Sequence, residues 1–271
     1  MTEARDATTV MLLRDRPGGG LEVHLHRRPA EMSFGADAHV FPGGSMDAAD
    51  AGTAVQAYCA PADLSRTASR MGLAAGGDGL TLCRALHVCA AREVFEESGV
   101  LLARRSDGTG YGVADAQALA TSRRRLLDGA TFAAELGTLD ARLESDWLVY
   151  AAHFITPLGL PKRYDTRFFL ARAPLEQDAA VHTAEAFDGG WWTPVEMLEM
   201  QARGEAVLMP PTRIMLTELG RHATVTDAIT ALGTRPVARI LFDIRWITDG
   251  NADFDHLPTV EEMAALEAST S

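Results

Sequence analysis

The stretch Arg92-Glu93-Val94-Phe95-Glu96-Glu97-Ser98-Gly99-Val100 constrains this chain more than any other part of it. It closes the longest helical pattern in the sequence, Leu80 to Glu97. Leu82, Leu86, Cys89 or Ala90, and Val94 recur there at helical spacing, and Gly99 stands where a helix C-cap is wanted. On such a helix Glu93, Glu96 and Glu97 are three and four positions apart, so their carboxylates leave one face. Three like charges near a helix C-terminus repel one another and oppose the macrodipole. A divalent cation removes both penalties, and hard oxygen donors at this density suit Mg2+ or Mn2+, which bridge protein carboxylates to substrate phosphates. A solvated acidic face is the alternative, and a bare Glu-x-x-Glu-Glu does not separate the two.

Composition narrows the choice. The net charge is −12, with 47% hydrophobic and 23% charged residues, as expected of an ordinary soluble protein. That charge argues against a nucleic-acid backbone as partner, and no basic stripe with interleaved aromatics appears. An anionic substrate would need local help from arginines or a metal. No apolar run approaches the about 18 residues of a membrane span, and Val10 to Leu13 is too short for the core of a signal peptide. Cys59, Cys83 and Cys89 are odd in number and show no Cys-x-x-Cys spacing, which reads as reduced thiols in a cytoplasmic protein.

The 271 residues suit one elaborated domain. Thr8 to Arg14 and the segment after Pro17-Gly18-Gly19-Gly20 read as a β-hairpin. In its second arm Leu21, Val23 and Leu25 alternate with Glu22, His24 and His26, the period of a half-buried strand. Residues 51–79 are read as an insertion with one short helix near Asp63 to Met71. A second insertion, about 104–143, would hold helices over Val113–Leu127 and Phe132–Leu143, with Ser122 to Arg125 on a solvated face. Trp147–Ile155 and Thr166–Ala171 read as strands, and Glu185 to Trp192 leads into a helix over Pro194–Arg203. Pro210-Pro211 opens another helix, Thr212–His222, and Val237–Ile247 is a last strand before a polar tail. These elements point to an α+β domain over residues 5–205, with an extension over 206–271 that packs on it or builds a homodimer interface.

The phrase Arg-Glu-apolar-x-Glu-Glu-x-Gly-apolar resembles the second half of the signature box of the Nudix hydrolases at every fixed position. Gly44, five residues and Asp50 resemble the first half, with Asp in place of the usual Glu. Between Asp50 and Arg92 lie 41 residues where the usual box has seven. A box split in this way, preceded by Phe41-Pro42-Gly43-Gly44, is similar to the acyl-CoA and CoA diphosphatase-like branch of the family. Arg163-Tyr164-Asp165-Thr166-Arg167-Phe168-Phe169, Trp191-Trp192-Thr193-Pro194 and Leu208-Met209-Pro210-Pro211-Thr212 look like that branch too.

The resemblance implies an α/β/α sandwich around a mixed sheet. It makes Glu93, Glu96 and Glu97 the Mg2+ or Mn2+ ligands, with the Gly44 carbonyl as a further one. Arg92 becomes a structural residue pairing with Asp47 or Asp50. The implied reaction is attack of water on a diphosphate linkage, with Glu93 either a ligand or the group that orients or deprotonates the water. Glu185 stands where many relatives keep an assisting acid. Asp165, flanked by Arg163 and Arg167, reads instead as a structural ion-pair residue.

The implied substrate is a nucleoside diphosphate derivative. Counting back from Phe41, Leu25 and Arg28 match the pattern of CoA diphosphatases, whereas Pro29, Ser33 and Asp37 depart from it. Arg28 is the first choice for phosphate contact, with Arg163 and Arg167 behind it; Arg27 and Lys162 are the other available cations. CoA or acyl-CoA leads, ADP-ribose, NADH or another nucleotide-sugar substrate follows, and a non-catalytic Nudix module that binds a nucleotide or a partner is the rival of another class.

Overall fold

The computed structural model describes residues 3–29, 35–177, 179 and 188–242. Its first strands form the expected hairpin, β1 (Arg5–Asp15) and β2 (Leu21–Arg27), paired antiparallel with Leu13 opposite Val23. Two short strands follow, β3 (Ala38–Val40) and β4 (Gly43–Ser45). A 3-10 turn over Ala48–Ala51 leads into α1 (Thr53–Gln56) and α2 (Ser65–Arg70), so the first insertion holds two short helices where one was expected. The long helix α3 (Gly77–Ser98) comes next, then β5 (Ala103–Arg105), α4 (Ala116–Leu127) and α5 (Phe132–Leu139).

The sequence reading carries α5 on to Leu143, and the structure corrects this. Asp140 takes a left-handed φ of +54°, which ends the helix, and Ala141–Leu143 becomes β6, antiparallel to β5. A second correction falls on Ser122 to Arg125. Ser122 and Arg123 are buried against the domain rather than solvated.

The remaining elements are β7 (Val149–Ile155), β8 (Tyr164–Arg172), β9 (Asp188–Trp192) and α6 (Pro194–Ala202), followed by β10 (Val207–Leu208), α7 (Pro210–Leu219), α8 (Val225–Thr234) and β11 (Arg239–Leu241). Helix α8 was not anticipated, although Thr224 caps it by accepting from the Asp227 N–H. Of the strand expected over 237–247, β11 is the described part, and residues from 243 onward lie outside the described residues.

A mixed sheet runs β10-β3-β2-β1-β8-β7-β11, with β4 added to β1 and β9 to β2. At its centre β1 and β8 are parallel over nine residue pairs, from Arg5 opposite Tyr164 to Leu13 opposite Arg172. Both strands are sunk between two apolar layers, and their two-residue period sorts side chains between them. Val10, Leu12, Phe169 and Ala171 join Leu86, Val94 and Phe95 of α3 on one side. Met11, Leu13, Phe168 and Leu170 join Met197 of α6, Leu216 of α7 and Ala228 of α8 on the other. This is the expected α/β/α sandwich. The segment after residue 205 supplies two strands to the sheet and two helices to the second apolar layer.

The alternation in β2 misled in one respect. His24 and His26 are buried, 0% and 3% exposed, because β9 covers that half of the strand, pairing Trp191 with His24 and Gly189 with His26. Cys59, Cys83 and Cys89 are free thiols. Among the described residues, no helix is long and apolar enough to cross a membrane.

Candidate active site

Helix α3 ends as its sequence requires. Gly99 adopts a φ of +75°, and its N–H donates to the Phe95 carbonyl at 3.0 Å. The last turns bury Val94 and Phe95 in the core and leave Glu93, Glu96 and Glu97 to meet the loop that enters and leaves β4. Gly43 donates its N–H to Glu97 Oε2 at 2.7 Å. A Cβ on Gly44 would lie 2.5 Å from Glu93 Oε1, so only glycine lets the main chain approach that carboxylate. The Phe-Pro-Gly-Gly turn and the glutamate helix, 54 positions apart at Gly43 and Glu97, are therefore one structure.

Arg92 ties the pieces together. Its Nε and Nη2 donate to Asp50 Oδ1 and Oδ2, each at 2.9 Å, so Asp50 takes both hydrogen bonds, while the exposed Asp47 carboxylate lies in a looser ion pair at 4.0 Å. Asp50 is itself held by the Asp47 N–H at 2.8 Å. The same guanidinium donates from Nη1 to Glu93 Oε1 at 2.8 Å and to Glu96 Oε1 at 3.3 Å, and from Nη2 to the Ser45 carbonyl at 3.2 Å. Burial works against the Arg92 charge, yet Asp50 and Glu93 outweigh it and hold the guanidinium well above its ordinary range. Burial pushes the Glu93 carboxyl up to about 7, with Arg92 opposing and Glu96 adding to the rise. Glu96 is also raised, again first by burial. His26, whose Nε2 lies 3.8 Å from Glu97 Oε2, is pushed down to about 3 by burial and by the neighbouring His24, Arg28 and His39, so it stays neutral.

The second insertion reaches this site through Arg123 of α4. Its Nε and Nη2 donate to the carbonyls of Glu96 and Glu97 at 2.8 and 2.7 Å. A cation at the negative end of α3 answers the macrodipole penalty that the three glutamates create. Sequence reasoning missed this role. Arg123 to Arg125 are three consecutive arginines, and nothing local marks which one turns inward. His26 was missed for a related reason, since polar positions of a half-buried strand look solvated until β9 is known to cover them.

Glu93, Glu96, Glu97, Gly44 and Arg28 all line one cleft of about 420 Å3, together with His26, Lys162 and Tyr164. Arg163 and Arg167, expected to contact substrate, are placed elsewhere. Arg163 donates from Nε to the carbonyls of Thr156 and Pro157 at 3.2 and 3.0 Å, bracing the turn between β7 and β8. Arg167 is buried and pairs with Asp6 and, at 3.1 Å, with Asp165. Asp165 is a structural ion-pair residue as expected, held by Arg167, His153 and Arg239 rather than by Arg163. Glu185 and Ser33 lie outside the described residues.

Among the described residues, no three His, Cys, Asp or Glu side chains are already drawn together around a point that would hold a metal ion. The cause is local. Arg92 occupies oxygens of Glu93 and Glu96, and the Gly43 N–H occupies one of Glu97. The donor set nevertheless fits a hard divalent cation. Three carboxylates line one cleft, and the Gly44 main chain comes so close to Glu93 that only a glycine fits there.

Residues 5–221 match the family described as the NUDT19 Nudix domain. The human acyl-coenzyme A diphosphatase NUDT19 is 29% identical over 255 residues, which covers 83% of this chain and 67% of that protein. Its chicken counterpart is 28% identical over 272 residues, covering 82% and 70%. A NUDIX hydrolase from Alicyclobacillus acidocaldarius superimposes with a TM-score of 0.70 at 29% identity, over 87% of this chain and all of that one.

Proposed function

Because this chain belongs to the Nudix hydrolases, in the NUDT19 Nudix domain family, we propose that it is a diphosphatase of coenzyme A derivatives. It would cleave CoA or acyl-CoA to 3′,5′-ADP and 4′-phosphopantetheine or its acyl form. The observation that carries this reading is the single cleft in which Glu93, Glu96, Glu97 and Gly44 meet Arg28 and Lys162. Carboxylates alone would repel a diphosphate. Carboxylates that hold a cation, with two further positive side chains beside them, would accept it.

Glu93, Glu96 and Glu97 would hold Mg2+ or Mn2+, with the Gly44 carbonyl as a further ligand. When bound, the ion supplies neutralisation of the non-bridging oxygens and a lower pKa for the attacking water. Arg28 and Lys162 meet the remaining phosphate charge. Arg92 and Asp50 keep the glycine turn and the glutamate helix in register. In the reaction the water oxygen bonds to one phosphorus, the bridging oxygen leaves with the other phosphate, and the water protons end on the products or in solvent. Glu93, the buried one of the three, serves either as a metal ligand or as the group that orients or accepts such a proton. Glu185 is the further acid proposed to assist.

The test is divalent-metal-dependent hydrolysis of CoA, an acyl-CoA, ADP-ribose and NADH, with products identified by mass. 3′,5′-ADP from the CoA compounds, abolished in Glu96→Gln, is the expected result. Cleavage of ADP-ribose or NADH alone would move the substrate to another branch, and undiminished cleavage by Glu96→Gln would overturn the assignment of the glutamates.

A further inference from the structure

Strand β2 carries His24 and His26 at alternate positions, so both rings leave the face of the sheet opposite to Val23 and Leu25. His24 ends in the interior, edge-on to Trp191. His26, two residues further along, reaches the cleft of the three glutamates and is the only histidine that lines it among the described residues. Its Nδ1 is closed off from solvent with no hydrogen-bond partner among those residues. A ligand entering the cleft therefore meets this ring at Nε2 alone. Nε2 faces Glu97 Oε2 at 3.8 Å, too far for a hydrogen bond between the two.

We infer that His26 Nε2 is a further ligand of the divalent cation held by the glutamates, and that it biases the site toward Mn2+ over Mg2+. The inference rests on the metal-site reading of Glu93, Glu96 and Glu97 above and deepens it. Two donors 3.8 Å apart both fit on one ion, since bonds of about 2.1 Å to each span as much as ~4.2 Å. Glu97 Oε2 accepts from the Gly43 N–H and keeps a second lone pair for a cation. An imidazole also adds a donor without adding negative charge. That matters where a cleft with three carboxylates must admit a diphosphate. Mg2+ takes oxygen ligands and gives up its water reluctantly, whereas the first-row ions, Mn2+ among them, accept nitrogen beside carboxylates.

The experiment is electron spin-echo envelope modulation of Mn2+ bound to the full chain without substrate. It compares wild type, wild type labelled with the heavy nitrogen isotope in its histidine rings, and His26→Leu. Leucine suits this buried position and offers no donor. Wild type should show modulation from a directly bound imidazole nitrogen, which changes on labelling and disappears in His26→Leu. Titration should show the Mn2+ dissociation constant of that variant raised about tenfold or more, at least the loss caused by removing a residue behind a metal ligand. The change for Mg2+ should be much smaller. Bound Mn2+ without nitrogen modulation, or modulation that survives His26→Leu, overturns His26 as a ligand and leaves the glutamate site standing. If Mn2+ does not bind wild type at all, the glutamate site falls with it. The labelled wild type decides the question by itself if His26→Leu fails to fold.

Discussion

Arg92 grips Asp50 with two hydrogen bonds of 2.9 Å across 42 positions of sequence, and with its remaining amino group holds Glu93 at 2.8 Å. Arg92 is 8% and Asp50 2% exposed, so neither charge is offset by water. Removing one partner of such a pair strands the other in the interior, at a cost of about 3–5 kcal/mol, whereas replacing both by apolar groups can be nearly neutral. Asp50→Ala should therefore lower stability by that order in urea unfolding. Arg92→Met, which leaves both Asp50 and Glu93 without their cation, should cost more, and adding Asp50→Ala to it should recover part of that loss without restoring hydrolysis. Equal stability of the single and double variants would show that the pair is not the joint between the two halves of the site.

The raised Glu93 carboxyl makes a prediction about pH and metal. Its folded value of about 7 lies above the ordinary 4.5 of an unfolded glutamate. The native state therefore binds more protons between these values. The stabilisation from protonated Glu93 is complete below pH 4.5 and is lost as pH rises through 7. Metal-free protein should lose thermal stability over that interval from this group. A divalent cation competes for the same carboxylate, so the rise in Tm caused by Mg2+ should grow from about pH 5.5 to about pH 8. A Mg2+ effect of the same size at both ends would count against Glu93 as a ligand.

Arg123 is predicted to position the glutamates without touching substrate. Arg123→Met removes both bonds to the Glu96 and Glu97 carbonyls. The expected result is a Mg2+ half-saturation raised about tenfold or more, as for other residues that orient metal ligands. Saturating Mg2+ should restore most of kcat. A purely structural role would lower Tm and leave the metal titration unchanged.

His24 is buried with both ring nitrogens lacking a hydrogen-bond partner among the described residues, edge-on to Trp191 at 5.4 Å. Burial, then the charges of Arg123 and Arg14, push it down to about 4. The unfolded chain binds its proton first, so this group's contribution is intact above pH 6.5 and is lost as pH falls toward 4. His24→Leu should melt higher than wild type at pH 5 by an amount worth ~2 kcal/mol, with a smaller gain at pH 7. A gain independent of pH would show that His24 does not titrate with unfolding.

Much of the site was legible because helical spacing is a local property. Three and four residues separate Glu93, Glu96 and Glu97, so any α-helix puts them together, and Gly99 ends that helix on its own conformational preference. The hairpin, the β7–β8 pair and the proline-led helices α6 and α7 followed from equally local signals. The cationic side chains did not, because an arginine's role depends on what lies within reach of its tip. Arg28, Arg163 and Arg167 look alike in sequence. Only the first lines the cleft, while Arg163 braces a turn and Arg167 pairs with Asp6 and Asp165.

By itself, then, the sequence determined the glutamate helix, the glycine turn before it and the family to which both belong. Tertiary structure decided that Asp50 takes both hydrogen bonds from Arg92 while Asp47 stays at 4.0 Å, that Arg123 caps the glutamate helix from an insertion, and that chain beyond residue 205 helps wall a cavity beside the cleft. The division has one physical cause. Spacing along a helix or strand is set by the backbone within a few residues, whereas an ion pair or a cavity wall exists only once packed layers bring distant segments within a few ångströms of each other.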